Sequence, residues 1–375
     1  MRTGIMFDAA EFAAKIVRIP SCDPPGGELA VARKVAEALA FLGIEHELEE
    51  FAPGRANVVA RVRGTGRIKP LVFSAHMDTV PIGDTPWRFD PFAGDIVDGR
   101  VRGRGSSDMK GALAAFIAAA DILSRRRTPL ACDVILAFTA GESANCLGAR
   151  RLVARGFQSE IGAFLCGEPS SLDLVVVEKA ILWLRAEARG RLGHVSGDRG
   201  VNAIDLMVEF LAELRGLDLD LERHPLLTPP SVHVGTISGG AAVNVTPDRC
   251  SADIDIRFGL GIDHEAVVER VRDIAPDGVL ITLLDFKPAV EEAPDSAFAR
   301  SCAAAIETVT ARRPDILGVS YYSDGAILLD GVDAPFAIIG PGDLGMSGQY
   351  DEMVSVDRIR AAIDIYVEIA ERWGT

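Results

Sequence analysis

The sequence predicts an α/β chain in two domains, and three observations carry that prediction. At 375 residues the chain is longer than one hydrophobic core usually serves, so a division into domains is expected. In the first half, short apolar runs alternate with helix-like segments, the order of a parallel sheet. Between about 176 and 286 the order becomes βαββαβ, which can close into a compact unit of its own.

The elements follow in chain order. LVFSA (71–75) is a short buried strand running into His76, and DVILAFTA (133–140) is another, running toward Glu142. GALAAFIAAADILSRR between them has helical length and composition, and strand–helix–strand implies parallel pairing. AFLCGEPSS (163–171) adds a third strand, ending near Glu168. Open α/β sheets bind ligands beyond the carboxyl ends of their strands, where these polar residues cluster. The middle of the chain then reads strand (KAILWLRAEARG), helix (VNAIDLMVEFLAELRGL), strand (SVHVGTIS), strand (RCSADIDIRFG), helix (DHEAVVERVRDIA), strand (GVLITLLDF). FKPAVEEAPDS (286–296) reads as a linker back. Residues 1–175 and 287–375 are thus expected to form one α/β domain, interrupted by an inserted ferredoxin-like domain at 176–286.

Composition excludes several classes. Apolar residues at 48% and charged residues at 25% are ordinary for a globular protein. With 54 acids against 39 bases, the formal charge of −15 argues against nucleic acid as a partner. The stretch ALAAFIAAA (112–120) is too short to span a bilayer, and MRTGIMFDAAEFAAKIV has acids where a signal peptide needs an apolar core. Cys22, Cys132, Cys146, Cys166, Cys250 and Cys302 show no metal-finger or disulfide-framework spacing, so reduced thiols in a cytoplasm are expected.

The chemistry lies in the motifs. SAHMDTVP sets His76 and Asp78 two apart at a strand end, where alternate side chains share a face. An imidazole with a carboxylate beside it is a usual metal-site pairing, because the carboxylate fixes the ring tautomer. A surface polar pair is the plain alternative. RGRGSSDMKG adds Asp108 on a Gly-rich turn opening a helix, and CGEPSS adds Glu168. Singly each could be a cap or a solvated acid, but three such ligands at one sheet edge match a catalytic zinc site of three protein ligands plus water.

The segments IVRIPSCDPPGGE, SAHMDTVP, WRFDPF, GRGSSDMKGALAAF, GEPSSLD, GVNAI, NVTPD with DIR, YSDG and IIGPGD together resemble the metal-dependent aminoacylase and carboxypeptidase family. That family includes acetylornithine deacetylase, succinyl-diaminopimelate desuccinylase and glutamate carboxypeptidase-like metallopeptidases. The matches run in order from residue 16 to about 356, nearly the whole chain. The resemblance implies a zinc-peptidase-like α/β catalytic domain with an inserted lid and dimerisation domain.

It also implies roles. His76, Asp108 and Glu168 match the ligands of one metal, with Asp108 in the bridging position of the dinuclear members. Asp78 matches the acid that orients the metal histidine, and Glu142, in FTAGESANCLGAR, matches the general base. His194 in GHVSGD matches a histidine that reaches across a dimer interface, while Asn244 and Arg257 match residues holding the substrate's carboxylate. An idle solvated histidine and an ordinary surface charge are the plain readings of His194 and Arg257. His46, His224, His233 and His264 read as structural.

Two departures stand out. The family's second metal takes the second Glu of an E-E pair and a C-terminal His, and here those places hold Ser143 and Gly348. The expectation is therefore one divalent metal ion, zinc first, with manganese or cobalt open. Tyr350, Asp351, Glu352 and Cys146 are the candidates to rebuild a second site. The implied activity is metal-dependent hydrolysis of an amide C–N bond in a small carboxylate-bearing substrate, such as an N-acyl amino acid or dipeptide, by a cytoplasmic homodimer paired through the inserted domain. No nucleic-acid or membrane partner is expected. A non-catalytic binding protein and a one-metal deaminase stay open as other readings.

Overall fold

The computed structural model of the protein describes residues 7–194, 197–217 and 223–373. The chain divides into two compact units. One comprises Met1–Val177, Glu291–Leu317 and Ser323–Thr375, and the other Glu178–Val290 with Gly318–Tyr322.

The first unit is built on a mixed sheet. Its central strands lie in the order Glu45–Ala52, Arg55–Val62, Val134–Thr139, Leu71–His76, Ala163–Cys166, Phe336–Ile338. The last four are mutually parallel, so their carboxyl ends share one edge. Every residue of Val134–Thr139, Leu71–His76 and Ala163–Cys166 is buried, which explains why these strands read as continuous apolar runs rather than alternating ones. The helix Gly111–Ser124 is apolar on nearly all sides because it is covered on two. Phe116 stacks on Phe73 of the sheet at 4.8 Å and on Tyr366 of the helix Val356–Trp373 at 4.3 Å. Burial of each such ring is worth about 1.5–3 kcal/mol. The alanines around Phe116 let the helix sit close to the sheet, and this fixes the turn at 103–110 that precedes it.

The second unit has the order strand Ala180–Arg189, helix Ala203–Gly216, strands Ser231–Gly239 and Arg249–Phe258, helix His264–Asp273, strand Val279–Lys287. Its strands pair antiparallel in the order Ser231–Gly239, Arg249–Phe258, Ala180–Arg189, Val279–Lys287. Burial alternates along the two inner strands. Leu182, Leu184, Ile254 and Ile256 face a core shared with Met207 and Phe210 of one helix and Val267 and Val271 of the other.

One segment departs from the expected division, which gave all of 287–375 to the first domain. Residues 318–322 pack with the second unit. Arg257 Nη1 donates to the Ser320 carbonyl at 2.6 Å, the Thr228 and Ser320 hydroxyls lie 2.8 Å apart, and Tyr322 meets Trp183 edge-on. Among the described residues, no helix is long and apolar enough to cross a membrane.

Candidate metal centre

Three segments of the first unit converge at the carboxyl edge of the parallel strands. His76 closes its strand, and its side chain is 7% exposed. Its Nδ1 lies 3.0 Å from the carbonyl oxygen of Asp78. A carbonyl can only accept, so Nδ1 donates there, and Nε2 is the nitrogen turned to the acids. Nε2 is 3.0 Å from Asp108 Oδ1 and 3.5 Å from Glu168 Oε1. One ligand atom from each of these three residues lies within 4.8 Å of the others. An imidazole and two carboxylates in a buried pocket are a donor set that fits zinc or a similar divalent ion.

The electrostatics favour a cation in the same place. Burial opposes a charged imidazole, yet the carboxylates of Glu168, Asp78 and Asp108 outweigh it and push His76 well above its ordinary value. Burial, reinforced by the neighbouring Asp108 charge, holds Glu168 well above the usual carboxylate range. Burial does the same to Glu142, partly offset by His76 and strengthened by Asp78, Asp324 and Asp108. The pocket concentrates negative charge that its one imidazole only partly balances.

Asp108 is placed by Glu352, one of the carboxylates expected as a replacement ligand. Glu352 is buried and accepts from Arg104 Nη1 at 2.7 Å and from the backbone N–H groups of Gly105, Ser107 and Asp108 at 3.0, 2.8 and 3.0 Å. It ties the 104–108 turn into one conformation, with both of its oxygens engaged by these donors.

Glu142 sits on a turn that is held with equal care. Its N–H and that of Ser143 donate to the two oxygens of Asp78 at 3.0 Å each, and the Ser143 hydroxyl adds a bond of 2.5 Å. Asn57 accepts from Ala140 N–H at 3.1 Å and donates to the Gly148 carbonyl at 2.9 Å. The Asp78 carboxylate thus serves mainly the turn, with 3.7 Å separating it from His76 Nδ1. Asp324, from the YSDG motif, closes the arrangement: buried, it accepts from the hydroxyl of Thr139 and the thiol of Cys146, at the two ends of the turn.

Two serines lie at or beside the sequence positions of the family's second-metal ligands. Ser143 is bound to Asp78, and the hydroxyl of Ser347, next to Gly348, donates to Asp108 Oδ2, the oxygen turned away from His76. Of the expected substitutes, Tyr350 is half exposed, Asp351 accepts from Arg88 N–H at 2.7 Å, Glu352 holds the 104–108 turn, and Cys146 faces Asp324. Among the described residues, none of Asp351, Glu352 and Cys146 groups with His76, Asp108 and Glu168.

The other expected residues lie in the second unit. His194 is exposed and bridges through its backbone to Val245, beside the exposed Asn244. Arg257 already spends part of its fork on Asp255, at 2.9 and 3.0 Å. His264 stacks on Phe286 at 3.8 Å.

Residues 72–372 match the model of peptidase family M20/M25/M40. The chain belongs to this family. Family members are metal-dependent hydrolases of amide bonds, and so is this protein. It is 30% identical to a succinyl-diaminopimelate desuccinylase of Rhodospirillum centenum, over 98% of this chain and 97% of that one. It is also 30% identical to an acetylornithine deacetylase of Vibrio atlanticus, covering 92% and 93% of the two chains. Among solved M20 structures, the metallo-carboxypeptidase Sso-CP2 of Sulfolobus solfataricus superposes with a TM-score of 0.80 at 18% identity, covering 96% of this chain and 98% of that one.

Asp324 supplies a test of this buried charge. Burial, more than any neighbour, pushes its carboxyl up to about 6 from 3.8. The folded state therefore holds a proton that the unfolded chain releases, and stability falls as pH rises through that window. In metal-stripped protein, the stability of wild type relative to Asp324→Asn should drop by about 1–3 kcal/mol between about pH 4 and pH 6. Urea unfolding at several pH values measures it; a pH-independent difference would show that Asp324 is charged throughout.

Proposed function

We propose that the protein removes an acyl group from, or splits the peptide bond of, a small carboxylate-bearing amide, with one divalent ion held by His76, Asp108 and Glu168. What supports this reading above all is the convergence of those three side chains next to Glu142 on a tightly held turn. A zinc ion bound there would supply Lewis acidity and make water a competent nucleophile near neutral pH. Glu142 takes the proton of the attacking water and delivers it to the leaving nitrogen. Its elevated proton affinity, which a nearby cation would lower again, suits a group that both accepts and returns a proton. Asp78 keeps the turn and the imidazole in register.

A count of one metal is supported by Ser143, which stands where the second ion's Glu would be, and by Ser347, whose hydroxyl binds Asp108, the carboxylate that a second ion would share. A serine hydroxyl is a poor neutral ligand beside the acid and imidazole it replaces. The substrate class is supported by the relatives, whose names specify N-succinyl and N-acetyl amino acids. Asn244 and Arg257 would hold the carboxylate of such a substrate, with Arg257 using the N–H groups that Asp255 and Ser320 leave free. The free cysteines are consistent with a reducing cytoplasm.

The test begins with a screen of N-acyl amino acids and dipeptides on zinc-loaded protein. On the best substrate, Glu142→Gln should lower kcat by about 10²-fold or more while metal content stays unchanged. Loss of metal together with activity would make Glu142 a ligand instead of a base.

The proposed assembly is a two-fold dimer paired through the second unit, with His194 serving the partner's site. Mixing inactive Glu142→Gln chains with inactive His194→Ala chains should then restore activity, since one site of each hybrid keeps both groups. Absence of recovery from chains shown to exchange would mean that each site is complete within one chain.

A further inference from the structure

Arg55 opens the strand Arg55–Val62 and lies in a buried cluster of acids. Its Nη1 and Nη2 each bind an oxygen of Asp23 at 2.8 Å, Nη1 also reaches Glu28 at 3.1 Å, and Nη2 donates to the Pro25 carbonyl at 2.9 Å. Asp23 and Glu28 are almost wholly buried. One carboxylate oxygen from each of Asp23, Glu28 and Asp78 lies within 4.8 Å of the others. Three buried acids at that spacing need a cation, and the guanidinium is already there, bonded to two of them. This cluster is therefore not a second metal site.

The guanidinium also lies close against two glycines. A Cβ on Gly26 (φ +91°) would come within 2.5 Å of Arg55 Cζ, and one on Gly141 (φ +67°) within 2.7 Å of Nη1. Gly141 is the residue before Glu142. Asp78, the third acid of the cluster, takes the N–H groups of Glu142 and Ser143 and the Ser143 hydroxyl. Arg55 thus bears on the Glu142 turn twice: directly, against Gly141, and indirectly, through the acid cluster that it shares with Asp78, the acceptor of the turn's N–H groups.

We propose that Arg55 is a positioning residue for Glu142, the internal cation that fixes the 140–143 turn without touching substrate or metal. The proposal rests on Glu142 being the base, but its structural half can be read without activity. Misplacing a catalytic group by about 1 Å costs on the order of 10²-fold in rate, so a loosened turn should appear in kcat.

The experiment compares Arg55→Met with wild type and with Glu142→Gln, all zinc-loaded. Expected for Arg55→Met are a fall in kcat of about 10²-fold with KM and metal content near wild type, faster amide hydrogen exchange confined to a peptide covering 139–148, and partial recovery of kcat with added millimolar guanidinium ion. If Arg55→Met does not fold because Asp23 and Glu28 are left uncompensated, the combined variant Asp23→Asn, Glu28→Gln, Arg55→Met removes that stress, and the same kcat loss and exchange change are expected. Unchanged exchange at 139–148 in either folded variant overturns the proposal, as does loss of zinc in parallel with activity. Full activity in Glu142→Gln would instead sink the reading of the base, while the exchange result would still judge whether Arg55 holds the turn.

Discussion

Five carboxyl groups, those of Asp78, Asp108, Glu142, Glu168 and Asp324, gather at the buried edge of the parallel strands, with the single imidazole of His76 among them. Keeping acids out of water is costly unless each finds donors or a cation, and this constraint organises the rest of the site. Asp78 receives two backbone N–H groups and a hydroxyl, Asp108 receives His76 and Ser347, and Asp324 receives Thr139 and Cys146. Slightly further out, Glu352 is answered by Arg104 and three N–H groups, and Asp23 and Glu28 by Arg55. Glu168 and Glu142 are left with the strongest tendency to hold a proton, which makes them the pair most sensitive to a divalent ion beside His76.

The same constraint accounts for the serines. If a second ion is not bound, the carboxylate oxygens that faced it need neutral donors, and a hydroxyl supplies one hydrogen bond without adding charge. Ser347 does this for Asp108, and Ser143 donates to Asp78 beside it. A glutamate at 143 without a second ion would add a further buried negative charge close to Asp78.

Much of this was legible in the sequence because it is local. Continuous apolar runs ending in a polar residue marked the buried parallel strands, and His76, Glu142 and Glu168 lie just where those runs stop. The βαββαβ order of the second unit followed from periodicity alone. What escaped depends on contacts between distant segments. Ser347 and Asp108 are 239 residues apart in sequence, and Thr139 and Asp324 are 185 apart, so no spacing rule connects them. Arg55 carries no sequence signal of its own, because its partners Asp23, Pro25 and Glu28 lie 27–32 residues away. The role read for Asp78 from its spacing assumed strand alternation. The strand ends at His76, so that period no longer applies, and the carboxylate turns toward residues 142 and 143.

The central claim is that one ion, held by His76, Asp108 and Glu168, is the full metal complement of the site. Titration of stripped protein with zinc, followed by elemental analysis and a crystal structure of the zinc-loaded form, addresses it directly. One tightly bound ion per chain is expected at those three residues, abolished by His76→Ala, with the Ser347 hydroxyl still on Asp108. Two tightly bound ions about 3.5–4 Å apart, sharing Asp108, would contradict it.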